Sequence, residues 1–251
     1  MDYLYLIIFA LLPSLIWLLF FLKKDANPES NEMILKVFLW GMFATLPIIS
    51  LYFFIEALDY WIETIDLIEG FLAFISSSTI IYILYLFLGI ALVEEVLKYL
   101  VVRGKVLKNS ELDEPLDVML YMIIAALGFA ALENILYLFQ AETLPDVLWT
   151  NLLRFIAPVF GHALWSGTLG YFLALSFYEP RQKLKLLLFG FFLASFLHAS
   201  FNYVIIKAAE TDDQRWLIWI IIMIISLAIS VTLGFKRLQK LKSVCKIYPA
   251  K

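Results

Sequence analysis

The sequence predicts an all-α integral membrane protein, a polytopic bundle of about seven transmembrane helices. Hydrophobic residues make up 63% of the 251-residue chain, whereas a soluble domain is normally about half apolar. The mean hydropathy is +0.89. The apolar excess is concentrated in blocks of roughly 20 residues, which is the length that one helix needs to cross a bilayer. A membrane β-barrel would instead show short segments of alternating polarity.

Seven apolar segments are long enough to cross a bilayer. They lie at approximately 3–22, 36–55, 78–102, 117–140, 151–177, 185–207 and 216–235. The first segment has no basic residues before it and no small-residue cleavage site after it, so we expect a retained helix rather than a signal peptide. No polar connection is long enough to hold a soluble domain. We therefore expect one membrane-embedded domain over residues 1–251.

The distribution of basic residues predicts the orientation of the segments. One set of alternate connections is rich in basic residues, which are Lys23, Lys24, Lys36, Arg103, Lys105, Lys108, Arg181, Lys183, Lys185, Lys236, Arg237, Lys240, Lys242, Lys246 and Lys251. The opposite side is poor in them and includes the acidic connection 56–77, with residues Glu56, Asp59, Glu63, Asp66 and Glu69. Since basic loops remain in the cytoplasm, we expect the N-terminus outside and the C-terminus cytoplasmic.

The acidic connection at 56–77 repeats its apolar and acidic residues at helical spacing. This pattern is compatible with an amphipathic helix that lies in the outer membrane interface. A plain acidic loop explains the composition equally well, and the sequence leaves both alternatives open.

Polar side chains interrupt four consecutive apolar segments. An ionised group at the bilayer centre is unfavourable by at least ~2.5–3.5 kcal/mol, so each such residue needs a reason. The residues concerned are Glu94, Glu95 and Lys98 in the third segment, Glu133 and Asn134 in the fourth, His162 in the fifth, and His198 and Asn202 in the sixth. We expect these clusters to converge on one buried site.

The spacing within the clusters suggests their chemistry. Lys98 follows Glu94 by four residues and Glu95 by three, so it shares a helix face with both carboxylates. One lysine cannot neutralise two glutamates, which leaves one of them as a candidate general base. His198 and Asn202 are four residues apart, and together they could donate hydrogen bonds to an oxyanion.

Each cluster also has a structural explanation. The Glu94–Glu95–Lys98 group could be an ion pair, Glu133 and Asn134 could join helices by hydrogen bonds, and the histidines could be packing residues. A proton-coupled transporter would also bury such groups, and a non-catalytic membrane scaffold would retain the helices. The HExxH, GxSxG and P-loop motifs are absent, so any catalysis must be assembled between helices.

Four segments together resemble the PrsW family of bacterial intramembrane proteases, which is related to the CAAX-prenyl proteases of the Abi type. They are EEVLK at 94–98, GFAALENILY at 128–137, GHALWSGTLG at 161–170 and HASFN at 198–202. The resemblance covers about 76–207, which it marks as the catalytic core. It implies an intramembrane endopeptidase whose partners are the bilayer and a membrane-anchored protein substrate, for example an anti-sigma factor, with no nucleic acid partner.

The resemblance also implies roles for individual residues. Glu94, supported by Glu95, would activate water, and His162 would orient that water. His198 and Asn202 would stabilise the oxyanion, while Lys98 would fix the charge of the glutamates. Glu133 would be a metal ligand or would support one, with Asn134 beside it. Zinc held by His162, His198 and one of the glutamates, with Glu94 the first choice, and a metal-free glutamate mechanism both remain open at this point.

The predicted orientation can be tested by cysteine labelling. In a variant whose native Cys245 is replaced by serine, a single cysteine placed within 56–70 should react with a membrane-impermeant maleimide added to intact cells. A cysteine placed within 105–110 should react only after the membrane is permeabilised, because it lies in a basic, cytoplasmic connection. Labelling of the second position alone in intact cells would reverse the assignment.

Overall fold

A computed structural model describes residues 3–25, 27–61, 67–107, 109, 112–211, 213 and 215–241. All regular structure in these residues is helical. The elements follow in this order: α1 Tyr3–Leu22, α2 Asn31–Phe43, α3 Leu46–Trp61, α4 Leu67–Ser76, α5 Thr79–Leu84, a π-helix Tyr85–Ala91, α6 Leu92–Lys105, α7 Pro115–Leu138, α8 Leu144–Ile156, α9 Pro158–Tyr178, a 3-10 helix Pro180–Gln182, α10 Lys183–Thr211 and α11 Arg215–Leu238.

Seven helical stretches of the described chain are long and apolar enough to cross a membrane, which confirms the predicted all-α membrane bundle. They are Tyr3–Leu22, Asn31–Leu51, Thr79–Lys105, Pro115–Leu138, Leu144–Tyr178, Pro180–Thr211 and Arg215–Leu238. Their ends differ from the predicted ones by a few residues. The largest difference is in the fifth stretch, which begins at residue 144 rather than 151.

Four of these stretches are not single α-helices, whereas the sequence predicts simple spans. The sixth begins with the 3-10 helix Pro180–Gln182 and continues as α10, and the other three change within their length. The second changes from α2 to α3 just before Pro47, and the fifth breaks at Ala157, just before Pro158. Proline lacks the N–H that continues a helical hydrogen-bond ladder, and it disfavours helical geometry in the residue before it. In the third stretch the π-helix separates α5 from α6.

The acidic connection at 56–77 is helical in both of its described parts. Helix α3 continues to residue 61 and α4 covers residues 67 to 76. Of the two alternatives left open, the plain loop is therefore excluded for these two parts, while residues 62–66 lie outside the described part of the chain. The predicted interfacial position of this connection stays a prediction.

Helix α7 is the centre of the bundle. Of its most apolar 18-residue window, 94% is buried inside the protein, and it packs against α1, α2, α6, α8, α9 and α11. Its sequence is apolar around the whole circumference, which is typical of a helix enclosed by others. Since Glu133 and Asn134 lie in the last two turns of α7, this packing places both side chains inside the protein.

Two glycines allow α2 and α7 to meet backbone to backbone. A Cβ atom added to Gly41 would lie 2.2 Å from the carbonyl oxygen of Ala125, and one added to Gly128 would lie 2.0 Å from that of Phe38. Real Cβ atoms do not approach backbone atoms so closely. Small residues at such crossings are the usual means of close helix association in membranes, so these glycines fix the distance between α2 and α7.

The Gly128→Ala variant should lose stability, because the added methyl group forces the two backbones apart. Overpacking of this kind is destabilising by roughly 1–3 kcal/mol, which detergent-solubilised protein should show as easier unfolding in a dodecyl sulfate titration. Gly104→Ala is the matched control, since a Cβ atom there meets no atom within 4 Å. Equal effects of the two substitutions would contradict this account of the crossing.

Candidate active site

The polar side chains of four helices meet inside the bundle. Helix α6 contributes Glu94, Glu95 and Lys98, α7 contributes Glu133, α9 contributes His162, and α10 contributes His198 and Asn202. The side chains of Glu95 and Lys98 are fully buried, and those of Glu94, His162 and His198 are between 3% and 10% exposed. The structure thus brings together the residues that the sequence singles out.

A π-helix leads directly into the glutamate pair. Residues 85–91 make the wider i→i+5 turn, and α6 begins at the next residue, Leu92, with Glu94 and Glu95 in its first turn. Single π turns insert an additional residue into a helix and often occur at functional sites. In this segment Leu86 and Ala91 are buried, as are both glutamates that follow, so the change of helix type sets the rotation at which the glutamates enter the bundle.

The ammonium group of Lys98 lies at the centre of the cluster. Its Nζ donates to Glu95 Oε1 over 2.8 Å and to Glu94 Oε2 over 3.4 Å. The same Nζ is 2.9 Å from His162 Nδ1 and lies 4.6 Å from the centre of the Phe129 ring. A buried charge without partners is strongly unfavourable, and here two carboxylates, an imidazole and an aromatic face surround the cation.

Histidine 162 joins Lys98 to Glu133. An ammonium group can only donate, so Nδ1 of His162 must accept the bond from Lys98, and the ring proton is then on Nε2. Nε2 lies 3.1 Å from Glu133 Oε2 and donates to it. The neighbouring groups therefore fix which tautomer the imidazole adopts.

Arg154 belongs to the site, although it is not among the residues that the sequence singles out. Its Nη2 donates to Glu133 Oε2 and its Nε donates to Asn134 Oδ1, each over 2.7 Å. The guanidinium also covers the ring of Tyr137 at 3.9 Å. Arg154 lies within the predicted span 151–177, and a charged residue inside a span is the signal that would have identified it.

The network continues from Asn134 to the first helix. Asn134 Nδ2 donates to the carbonyl of Ala10 over 2.7 Å and to Asn151 Oδ1 over 2.8 Å, and Asn151 Nδ2 donates to the carbonyl of Phe9 over 2.9 Å. Pro13 lies within α1 and has no N–H for the Phe9 carbonyl four residues earlier. The asparagine on α8 therefore satisfies the carbonyl that the proline leaves open, and α1 is fixed to the site.

Glu95 is held on its second oxygen as well. Ser166, one turn after His162 on α9, donates to Glu95 Oε2 over 2.6 Å, while Lys98 binds Oε1. The sequence analysis does not identify Ser166, although its position one turn from His162 places it on the same face. With both oxygens engaged and no exposed surface, Glu95 has no access to water or substrate.

His198 lies against the indole ring of Trp165. The two rings are stacked, with centroids 4.1 Å apart and planes at 10°. Gly161 provides the space for the indole, because a Cβ atom there would be 2.7 Å from it. The stacked imidazole has Nδ1 3.4 Å from Glu95 Oε1, without hydrogen-bond alignment, and Nε2 3.8 Å from Glu94 Oε2.

A cavity of about 1080 Å³ opens onto these residues. Its polar lining includes Glu94, Glu133, Arg154, His162, His198 and Asn202. The remaining wall is mostly apolar and comes from the π-helix, α8, α10 and α11, with residues such as Leu86, Leu153, Ile205 and Leu217. Neither Glu95 nor Lys98 lines it, so Glu94 is the member of the glutamate pair that a substrate can reach.

Three side chains of the site have the spacing of metal ligands. One ligand atom each of Glu94, His162 and His198 can be chosen so that all three lie within 4.8 Å of one another. Glu94 Oε2 is 3.9 Å from His162 Nδ1 and 3.8 Å from His198 Nε2. Ligands of a tetrahedral zinc ion at about 2.0–2.1 Å are roughly 3.4 Å apart, so small movements would suffice.

The outer nitrogens of the two imidazoles also fit a metal site. His162 Nε2 donates to Glu133, and His198 Nδ1 faces Glu95. Metal-bound histidines generally place a carboxylate or carbonyl on their second nitrogen. The residues present therefore fit a divalent metal ion. One of the candidate ligand atoms, His162 Nδ1, already accepts a hydrogen bond from the Lys98 ammonium group.

Comparison with known proteins supports a protease. The model of the family described as PrsW family intramembrane metalloprotease matches residues 29–230. Protease PrsW of Geobacillus kaustophilus (strain HTA426) is 30% identical over 197 residues, which are 78% of this chain and 75% of the relative. Protease PrsW of Clostridioides difficile (strain 630) is 27% identical over 238 residues, 94% of this chain and 90% of the relative.

Protease PrsW of Bacillus subtilis (strain 168) is 26% identical over 226 residues, which are 90% of this chain and 89% of the relative. No solved structure matches this chain. The relatives are bacterial, which together with the seven apolar helices indicates a multi-pass protein of a bacterial plasma membrane. Since the family match spans most of the sequence, the chain belongs to the PrsW family and is an intramembrane protease that acts on membrane proteins.

Proposed function

We propose that Glu94 is the general base of an intramembrane endopeptidase. The observation that carries this assignment is its position: among the three clustered carboxylates, Glu94 alone lines the cavity without also binding a second helix through a short hydrogen bond. Glu95 is sealed by Lys98 and Ser166, and Glu133 is held by Arg154 and His162. A base must reach the proton that it removes, and Glu94 meets that condition.

The proposed reaction follows from this placement. Glu94 accepts a proton from a water molecule as the water oxygen attacks the carbonyl carbon of the scissile peptide bond. The resulting oxyanion accepts hydrogen bonds from the Asn202 amide and from the Nε2–H of His198. Both ring nitrogens of His162 are bonded to Lys98 and Glu133, so His162 would act on the water only through these two partners. When the carbon–nitrogen bond breaks, Glu94 returns the proton to the leaving amine, which regenerates the carboxylate.

Lys98 and Glu95 would act in this scheme without touching the substrate. The ammonium group keeps the charge of the buried pair balanced while the proton of Glu94 is gained and lost. Every residue with a proposed catalytic role lies within 76–207, so we propose this segment as the catalytic core. Helix α11 completes the wall of its cavity, and α1 is bonded to its polar network.

A zinc ion bound by Glu94, His162 and His198 would supply a polarised water molecule at neutral pH. The same Nε2 of His198 cannot bind a metal ion and donate to an oxyanion, because it has either a lone pair or a proton. Without a metal ion, activation of water is the task of Glu94.

The substrate that we propose is a membrane-anchored regulatory protein of the anti-sigma factor type, as the family resemblance implies. The cavity supports a membrane-embedded substrate: its apolar walls suit the side chains of an apolar segment, and its polar floor suits a backbone that has left its helical hydrogen bonds. Unpaired backbone groups are unfavourable by several kcal/mol in lipid, and the floor offers them partners.

The Glu94→Gln variant should retain its fold and lose cleavage, because an amide cannot accept the proton of water. The measurement is mass spectrometry of membrane-protein fragments from cells with the wild-type protein, with this variant, or with neither. New termini that depend on Glu94 would identify both the activity and its substrate. Unchanged fragments with the variant would remove Glu94 from the role of base.

Glu95→Gln is the informative comparison. It should mainly weaken the fold, because Lys98 loses its closest partner while remaining buried. Thermal unfolding of the two purified variants in detergent should therefore separate them: a small change for Glu94→Gln and a clear decrease for Glu95→Gln. The opposite order would contradict the division of roles between the two glutamates.

Arg154→Met should lower both stability and turnover, because it leaves Glu133 with His162 as its remaining partner. We expect a decrease of about 1–3 kcal/mol, below the value for a fully buried pair, since the Glu133 side chain is 24% exposed. The Arg154→Met/Glu133→Gln double variant should recover part of the stability and none of the turnover. Strictly additive stability losses would show that the two residues are not coupled.

A further inference from the structure

The Lys98 ammonium group lies beside the place where a metal ion would bind. Two of the three candidate ligand atoms are its direct neighbours: His162 Nδ1 at 2.9 Å and Glu94 Oε2 at 3.4 Å. His162 Nδ1 has a single lone pair, which the ammonium group uses as an acceptor. A divalent ion bound to Nδ1 needs the same lone pair, so the two cations cannot share this nitrogen.

Charge leads to the same conclusion as geometry. An ammonium group and a divalent ion a few ångströms apart repel each other strongly inside a protein, where little water screens them. The two carboxylates nearest to Lys98 are Glu94 and Glu95, and Glu94 is itself a candidate ligand. A metal ion bound to Glu94 and His162 would therefore deprive Lys98 of one of its two carboxylate partners and of its contact with the His162 imidazole.

Glu95 can hold the ammonium group without help from the candidate metal ligands. The shortest contact of the ammonium group is with Glu95 Oε1 at 2.8 Å, and Glu95 is held from the other side by Ser166. The Phe129 ring also contacts this ammonium group, because its centroid lies 4.6 Å from Lys98 Nζ. Lys98 can therefore leave His162 and Glu94 and remain paired with a carboxylate that is not a candidate ligand.

We propose that Lys98 is an internal cation that competes with a divalent metal ion for Glu94 and His162. In the state described here the ammonium group balances the charges and occupies the imidazole lone pair. Metal binding then requires Lys98 to withdraw to Glu95. This inference rests on the proposed function, because it uses the same residues. It concerns metal affinity, however, so the metal titration can contradict it even if Glu94-dependent cleavage is confirmed. Likewise, the titration can support it even if that cleavage is not found.

The test is a titration of purified protein in detergent with Co²⁺, whose visible absorption reports tetrahedral coordination, followed by displacement with Zn²⁺. Lys98→Met removes the charge and keeps a side chain of similar volume. We expect this variant to bind both ions about 10- to 100-fold more tightly than the wild type. Substitution of residues that are bonded to metal ligands generally changes metal affinity by a factor in this range. Adding His162→Ala to Lys98→Met should abolish the absorption.

Lys207→Met is the matched control, because it removes one positive charge from α10 at a site that is bonded to Glu210 and lies more than two helical turns after His198. Its metal affinity should equal that of the wild type. An unchanged or weaker affinity in Lys98→Met, or a lack of metal binding in both the wild type and Lys98→Met, would overturn the proposal.

Lys98→Met leaves Glu95 buried without a cationic partner, a change that is often strongly destabilising. The second comparison is therefore between Glu95→Gln/Lys98→Met, which removes the ion pair as a unit, and Glu95→Gln alone. The proposal requires the double variant to bind the metal ion more tightly than the single one. Equal affinities in this pair would refute the competition even if Lys98→Met cannot be purified.

Discussion

The need to keep the buried Lys98 cation paired explains much of the arrangement of this protein. Its ammonium group has no exposed surface and contacts Glu94, Glu95 and His162. Charges inside a bilayer are stable only with partners and hydrogen bonds around them. A continuous series of hydrogen bonds runs from this cation to α1. It passes through His162, Glu133, Arg154 and Asn134, and each of these polar side chains finds its hydrogen-bond partner in the next.

This series also explains why two adjacent glutamates are useful. Glu95 is the permanent partner of the lysine and is closed off from the cavity, whereas Glu94 faces the cavity and is bound more loosely. A single glutamate would have to balance the charge and handle the proton of water at once. Two neighbours on one helix turn divide these tasks, because consecutive side chains of a helix point in directions about 100° apart.

The sequence predicts the helical membrane fold and the cluster of glutamates and histidines because charged residues are conspicuous in apolar runs. It does not predict Arg154 or Ser166 as partners, since their roles depend on which helices pack together. Serine is common in membrane helices, and only the contact of Ser166 with Glu95 in the structure identifies it as part of the site. The π-helix likewise has no distinct signal in YLFLGIA, because hydropathy reports burial but not the number of residues in a turn.

The proline in α1 has a consequence for the order in which the protein is assembled. The Phe9 carbonyl receives its hydrogen bond from Asn151, which is 142 residues later in the chain. Ribosomes add about 5–20 residues per second, so roughly 7–28 s separate the synthesis of the two groups. Until α8 emerges, the first helix carries a polar group that lipid cannot satisfy. The helix that is made first therefore waits for its final contacts until the fifth membrane segment has arrived, and only then can the hydrogen-bond series from Lys98 to α1 close.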